Sequence, residues 1–423
     1  MILHLPPHFD LVVGDTFELF YRGILSSVEP SAYDLEFTWA GGKNYGNAYR
    51  KKLVFTPTEA DVGTHTLGVT LIDNSGEPME RGEVEVRIHP RPKAPKEERV
   101  ILCVGASTTS SGAWVSELCR RLTAKGGTPE GDGLDNIRFI GNAYKRGVHF
   151  EGYGGWHFRA YSTDHRNPRF MYVHGHFGDK SEIGDQHSFY TDENGCEWKL
   201  EAITEERIKL IRVTYPGSDL PASGTLRHKS GGTNHGDIVY TSSELAEANP
   251  FWDTEGGRND FVKYARKHGV ERIDEVLIYL GGNSTYMKEE PYKKEVRFFL
   301  DGLFEAFPQC RVILAGMAIP DRDGMGHNYG TTWRWSDKIG FIFSLAKWYA
   351  DLAEEPAYRG RVEFMCLSGQ FDTEHNFPHQ DLPVSIRSPL TAPLGTNALH
   401  PTDVGYMQVA DAFYRSIVPH FQD

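Results

Sequence analysis

Cysteine is scarce in this chain: five in 423 residues, Cys103, Cys119, Cys196, Cys310 and Cys366. Their number is odd, their spacing is wide and no Cys-x-x-Cys occurs, which argues against a disulfide scaffold and a cysteine zinc site. Cys103, Cys310 and Cys366 each lie in an apolar, strand-like run, where buried thiols are expected. Positive charge is short too: 45 Lys and Arg face 58 Asp and Glu, a formal net charge of −13. That balance argues against an electrostatic nucleic-acid binder and against a protein held on an anionic membrane surface. No apolar run is long enough to span a bilayer. The start, Met1-Ile2-Leu3-His4-Leu5-Pro6-Pro7, has neither a basic n-region nor a long apolar h-region. The expectation is therefore no signal peptide and a cytoplasmic location, with secretion if a leader precedes this sequence.

What remains is an ordinary globular composition, 39% hydrophobic and 24% charged, with a length that suits two or three domains. Aromatic residues make up 12% of the chain, enough for large cores and also for sugar-facing surfaces. Over residues 1–90, alternating β-rich runs such as Thr16–Tyr21, Leu35–Trp39, His65–Ile72 and Gly82–Ile88 recur between turn signals. They predict a β-sandwich whose Thr56–Gly63 phrase is similar to late strands of immunoglobulin-like modules. An accessory role, a spacer or a dimerisation module all suit it, which leaves room for a homo-oligomer. Residues 91–98 are proline-rich and charged, a linker.

From residue 99 to 423 the pattern changes to strands separated by helices, the signature of an α/β parallel sheet. Strands are predicted near 101–107, 137–141, 275–280, 310–316 and 362–367. Helices are predicted near 113–124, 261–267, 292–307, 337–352 and 403–417. Between 159 and 248 this rhythm stops and short strand-like pieces replace it, which reads as a β-rich insertion rooted beside the glycine-rich stretch 151–156.

Four positions fall where the C-terminal ends of parallel strands converge. Ser107 closes Val104-Gly105-Ala106-Ser107, and Gly155 lies in Tyr153-Gly154-Gly155-Trp156. Asn283 lies in Gly281-Gly282-Asn283-Ser284, and His400 in Asn397-Ala398-Leu399-His400-Pro401. A serine nucleophile needs a base, usually His, and acyl transfer needs donors for the oxyanion. In this order and spacing the four blocks resemble the SGNH (GDSL-type) serine hydrolases, over 99–156 and 249–422. Asn249-Pro250-Phe251-Trp252 is a further likeness to bacterial members.

The resemblance implies a three-layer α/β/α fold and no cofactor or metal. It implies Ser107 as nucleophile, His400 as base, and Ser107, Gly155 and Asn283 as oxyanion donors. Three family aspartates are replaced, by Ala106, Ser284 and Asn397. Asn397 stands where the histidine's acid would be and is counted with Ser107 and His400 in the catalytic set, able to orient the ring by hydrogen bonding but supplying no charge. The expectations are therefore a Ser–His dyad or a substitute acid among Asp372, Asp381 and Asp403. His174-x-His176, near His149, His157 and His235, is one metal-like pattern, with structural histidines the simpler reading. Trp156, Trp333 and Trp335 are candidates for a sugar surface or for the core. The stretch 321–327 is expected to wall the site as a loop. The function expected is hydrolysis of O-acyl, foremost O-acetyl, esters of an acylated carbohydrate or small ester. The alternatives are a lipolytic esterase or thioesterase, and a non-catalytic carbohydrate-binding protein with a decayed site.

Overall fold

The computed structural model describes residues 2–177, 188–203, 207–214, 220–232 and 236–421. The chain forms two compact units, Met1–Arg159 with Asp260–Asp423, and Ala160–Asn259. The second unit runs past residue 248 because its return segment is clasped by two asparagines. Asn249 Nδ2 donates to the Thr163 carbonyl (2.9 Å) and to Asn259 Oδ1 (3.0 Å), and Asn259 Nδ2 donates to the Tyr161 carbonyl (2.8 Å). This unit holds a seven-stranded antiparallel sheet, in the order Ile238–Tyr240, Gly224–Ser230, Phe189–Thr191, Glu197–Ile203, Arg207–Arg212, Phe170–His174, Ser242–Leu245. Alternation buries Leu200, Ile208 and Leu210 around Trp198 and Tyr190.

In the first unit, His8–Val12, Pro78–His89, Gly63–Ile72 and Asp34–Trp39 form one sheet, and Phe17–Phe20, Lys52–Phe55 and Asn47–Ala48 form another. Alternate residues such as Leu67, Val69 and Leu71, and Val84, Val86 and Ile88, are buried. Phe9 meets Phe17 across the two sheets (5.2 Å between centroids), as Trp39 meets Phe55 (6.1 Å).

These strands share a unit with the α/β part because a buried carboxylate ties them to it. Asp15 accepts from Arg121 Nη2 (2.5 Å) and Arg415 Nε (2.7 Å). Arg121 also reaches Asp411 (2.7 Å) and lies over the Tyr414 ring, and Arg415 reaches Gln370 Oε1 (2.8 Å). Burial alone would pull the Arg121 pKa down; the Asp15 and Asp411 charges outweigh it and raise it.

The central sheet orders its parallel strands as Val148–Gly152, Arg99–Gly105, Glu275–Tyr279, Arg311–Ala315, Val362–Met365. Ile137–Ile140 pairs in parallel with the first half of Arg99–Gly105, and Ala143–Lys145 adds an antiparallel edge. Both faces are covered, as a parallel sheet requires. Ile101, Cys103, Leu277, Tyr279, Ile313 and Ala315 share one core with helices Ala113–Thr123 and Asp403–Ile417, whose Trp114 and Phe413 stack at 4.5 Å. The intervening Leu102, Val104, Val276, Ile278, Val312 and Leu314 are equally buried. Helices Phe261–Lys267, Glu289–Ala306 and Trp335–Ala353 pack on one another through Phe261 against Phe299 and Tyr292 against Tyr349. Ser107 does not end a strand: the strand stops at Gly105 and Ser107 opens the helical turn Ser107–Ser110. All five cysteines are free thiols. Among the described residues no helix is long and apolar enough to cross a membrane.

Removing one partner of a buried ion pair leaves an uncompensated charge. Asp15→Ala should therefore destabilise by about 3–5 kcal/mol in urea unfolding, far more than a surface Asp→Ala; equal costs would contradict the bracing role of Asp15. A second expectation concerns pH. His420 is enclosed between Glu275 (2.8 Å) and Glu363 (3.4 Å). Burial lowers its pKa, but the two carboxylates win and raise it to about 9. The stabilisation is full below the unfolded value near 6.5 and is lost as pH rises through about 9. Melting temperature should fall over that window in the wild type and stay flatter in His420→Gln.

Candidate active site

Arg99–Gly105 and Glu275–Tyr279 are neighbours in the sheet, and the chain leaves them toward opposite edges. Such a switch in strand order opens a crevice at the C-terminal strand ends. A cavity of about 300 Å³ lies there, lined by Ser107, Gly155, Asn283 and His400. The four residues, 293 positions apart from first to last, thus share one cavity.

Ser107 Oγ lies 2.8 Å from His400 Nε2. Both side chains are half-buried. Burial lowers the His400 pKa from its ordinary 6.5, so the ring is neutral at neutral pH and has a lone pair for a proton. Among the described residues no carboxylate pairs with this ring. Asp403 pairs with Arg146 (3.0 Å) and Asp372 with His375 (2.8 Å), while Asp381 lies on an exposed hairpin strand, His379–Pro383.

Asn397 does not touch the imidazole in the way an orienting residue would. Its Oδ1 accepts from the backbone N–H of Leu399 (2.8 Å) and of His400 (3.1 Å). It holds the turn that carries the ring, as a short polar side chain does in an Asx turn. Asn328 Oδ1 accepts from the Ala398 N–H (2.9 Å), a second anchor that sequence reasoning missed. Asn328 belongs to a helix, Arg322–Tyr329, where a loop was expected. Asp321 caps it by accepting from Gly324 N–H, a signal that was present in the sequence. Its glycines disguised it. Gly324 is needed because a Cβ there would lie 2.7 Å from the Ala398 nitrogen.

Gly155 has φ +79°, a left-handed conformation that favours glycine, with open space beside it. Asn283 Nδ2 donates to the Trp156 carbonyl (2.9 Å), which links the glycine loop to the end of the central strand and leaves the amide a second N–H. The glycine loop is anchored by a fully buried acid that the sequence did not flag. Glu151 accepts from Tyr153 (2.5 Å), Tyr264 (2.7 Å) and the Asn142 N–H (2.7 Å). Burial outweighs those bonds and raises its pKa.

Trp156 is buried. Trp333 and Trp335 line another hollow of about 520 Å³ with Arg322 and His327. His149 donates to the Gly141 carbonyl (3.0 Å) and His174 pairs with Glu244 (3.1 Å), while His235 lies outside the described residues. The arrangement nearest to a metal centre among the described residues is His8, Asp10 and Glu363, whose ligand atoms lie within 4.8 Å of one another. Burial would raise the Asp10 pKa, but hydrogen bonds from His8 and His89 hold it at about 2, so this cluster already satisfies its own charge.

No protein-family model matches the chain, and no curated protein matches its sequence. Among solved structures it is similar to a family 3 carbohydrate esterase of Clostridium thermocellum, at 14% identity over 77% of this chain and 100% of that one, TM-score 0.38. A family 3 carbohydrate esterase from Talaromyces cellulolyticus is 11% identical over 77% and 99%, TM-score 0.34. A family two carbohydrate esterase from Cellvibrio japonicus is 11% identical over 100% and 96%, TM-score 0.28. Likeness at this level carries no argument about chemistry.

With burial as its only resolved influence, His400 should titrate below 6.5 in an NMR pH titration. A midpoint above that value would mean that a carboxylate reaches the ring. Asn397→Ala removes two backbone hydrogen bonds and should cost about 1–2 kcal/mol of stability without raising that midpoint.

Proposed function

We propose that this chain is a serine ester hydrolase of the SGNH type, with a three-layer α/β/α core, that removes short O-acyl groups, foremost acetyl, from a carbohydrate. The single observation that carries the reading is the 2.8 Å contact between Ser107 Oγ and His400 Nε2 inside a cavity also lined by Gly155 and Asn283. In this mechanism Ser107 Oγ attacks the ester carbonyl while its proton passes to His400 Nε2. The Ser107 and Gly155 N–H groups and the Asn283 amide stabilise the oxyanion. His400 then gives its proton to the departing sugar hydroxyl, leaving an acyl group on Ser107. A water deprotonated by the same ring releases the acid and restores the serine.

The base works as half of a dyad. Its orientation comes from the backbone turn held by Asn397 and Asn328, and Asn397 is a positioning residue. A cavity of about 300 Å³ suits a short acyl chain and a few neighbouring atoms rather than a fatty chain, which favours an acetylesterase over a lipolytic enzyme. The separate hollow that Trp333 and Trp335 line with Arg322 and His327, two residues of the helix that carries Asn328, is the kind of aromatic surface on which a sugar stacks. Residues 1–90 serve as an accessory domain that braces the hydrolase domain, and the inserted β unit completes the build.

The test is steady-state hydrolysis of p-nitrophenyl acetate and of acetylated oligosaccharides. Ser107→Ala and His400→Ala should each lose at least about 10³-fold in kcat, and Asn283→Ala about 10²–10³-fold. Because burial lowers the His400 pKa and the base must be neutral, the acid limb of kcat/KM should lie below pH 6.5. Unchanged activity in Ser107→Ala would overturn the mechanism. A wild type that hydrolyses no ester would overturn the enzyme and favour a sugar-binding protein.

A further inference from the structure

A lysine in the cavity wall has no part in the chemistry above. Lys338 stands in the first turns of helix Trp335–Ala353 and lines the cavity together with Ser107 and His400. Its Nζ lies 3.4 Å from the carbonyl of Gly282, the residue before Asn283. The ammonium is therefore beside the loop that carries the oxyanion donor.

Its surroundings do not explain a charge. Among the described residues no carboxylate pairs with Lys338, and the cavity lining contains no Asp or Glu. Met317, Phe341, Ile342 and Phe377 form much of the remaining wall. Asp337, next to it in sequence, is exposed. The helix gives no relief either, because its N-terminal end carries partial positive charge and opposes a cation in the first turns. One long hydrogen bond to a carbonyl is poor payment for removing an ammonium from water. Burial alone pulls the lysine pKa down, and nothing offsets it. An anion in the cavity would supply the partner that this half-buried cation lacks.

We propose that Lys338 is the specificity-determining residue of this cavity and binds a carboxylate carried by the ester substrate itself. The inference rests on the ester-hydrolase reading and names its substrate class: acidic esters. The carboxylate has two possible sources with the same chemistry, the alcohol part, as in an acetylated uronic acid, and the acyl part, as in a succinyl ester. In a cavity of about 300 Å³ the carboxylate lies within a few bonds of the ester carbon in either case.

The experiment compares kcat/KM for matched pairs of esters in wild type, Lys338→Met and Lys338→Arg. Acetylated glucuronic acid against acetylated glucose reports the alcohol side. Monoethyl succinate against ethyl butyrate reports the acyl side. The expected result is a preference of about tenfold or more for the acidic member of one pair in the wild type, carried mainly by KM. That ratio should fall to about one in Lys338→Met and survive in part in Lys338→Arg. Because each ratio is taken within one variant, a loss of folded protein does not imitate the effect. The pair that shows the preference identifies the source of the carboxylate. Hydrolysis of the neutral esters with no acidic preference in either pair, or a preference that persists in Lys338→Met, overturns the role of Lys338 and leaves the hydrolase intact. No turnover of any ester, neutral or acidic, overturns the hydrolase reading and this inference with it.

Discussion

The first unit depends on one carboxylate. Asp15 is buried between two guanidinium groups, Arg121 from the helix after the first parallel strand and Arg415 from the last helix. Arg415 has no other carboxylate at this distance among the described residues, Arg121 shares its charge between Asp15 and Asp411, and Asp15 does not tolerate burial without them. The consequence is mechanical. The last helix begins at Asp403, three residues after His400, and Arg415 fixes its far end against the N-terminal strands. The N-terminal strands, expected from the sequence to form a module of their own, are thereby part of the frame that holds the histidine-bearing segment.

At the other end of the same helix, the turn that carries His400 is fixed through its backbone. Asn397 turns its oxygen to two peptide N–H groups, and Asn328 receives a third. The turn is thus specified by neutral hydrogen bonds, and burial holds the imidazole below its ordinary pKa. A buried acid of a different kind, Glu151, performs the matching task for the glycine loop by holding Tyr153 and the Asn142 amide. Neither anchor touches the cavity, yet both set what lines it.

Much of this was legible in the residues. The buried parallel strands are continuous apolar runs, such as Val276-Leu277-Ile278, and the helices that cover them carry aliphatic side chains at spacing four, so their period identifies them. Helices Phe261–Lys267 and Asp403–Ile417 lie where that period puts them. Ser107, Gly155 and Asn283 could be named because each follows a strand, His400 because it precedes the last helix, and all four because their blocks resemble one family in order and spacing. What stayed hidden depends on distant partners. Glu151 looks like a surface residue until Tyr264, 113 positions away, is packed on it. The helix Arg322–Tyr329 is poor by propensity and forms because its glycines admit the segment at Asn397–Ala398. Asn397 is a different case: its partners are the next residues, and a side chain that bonds its own turn reads in sequence like one aimed at a ring.

The asparagine clasp of the second unit has a further meaning. Because Asn249 and Asn259 hydrogen-bond to the carbonyls of Thr163 and Tyr161, the segment that departs and the segment that comes back are stitched together at their roots. A hundred-residue excursion with its ends fastened side by side is, for the sheet it interrupts, equivalent to a tight turn. A change of length between those fastened roots leaves the register of every parallel strand as it was.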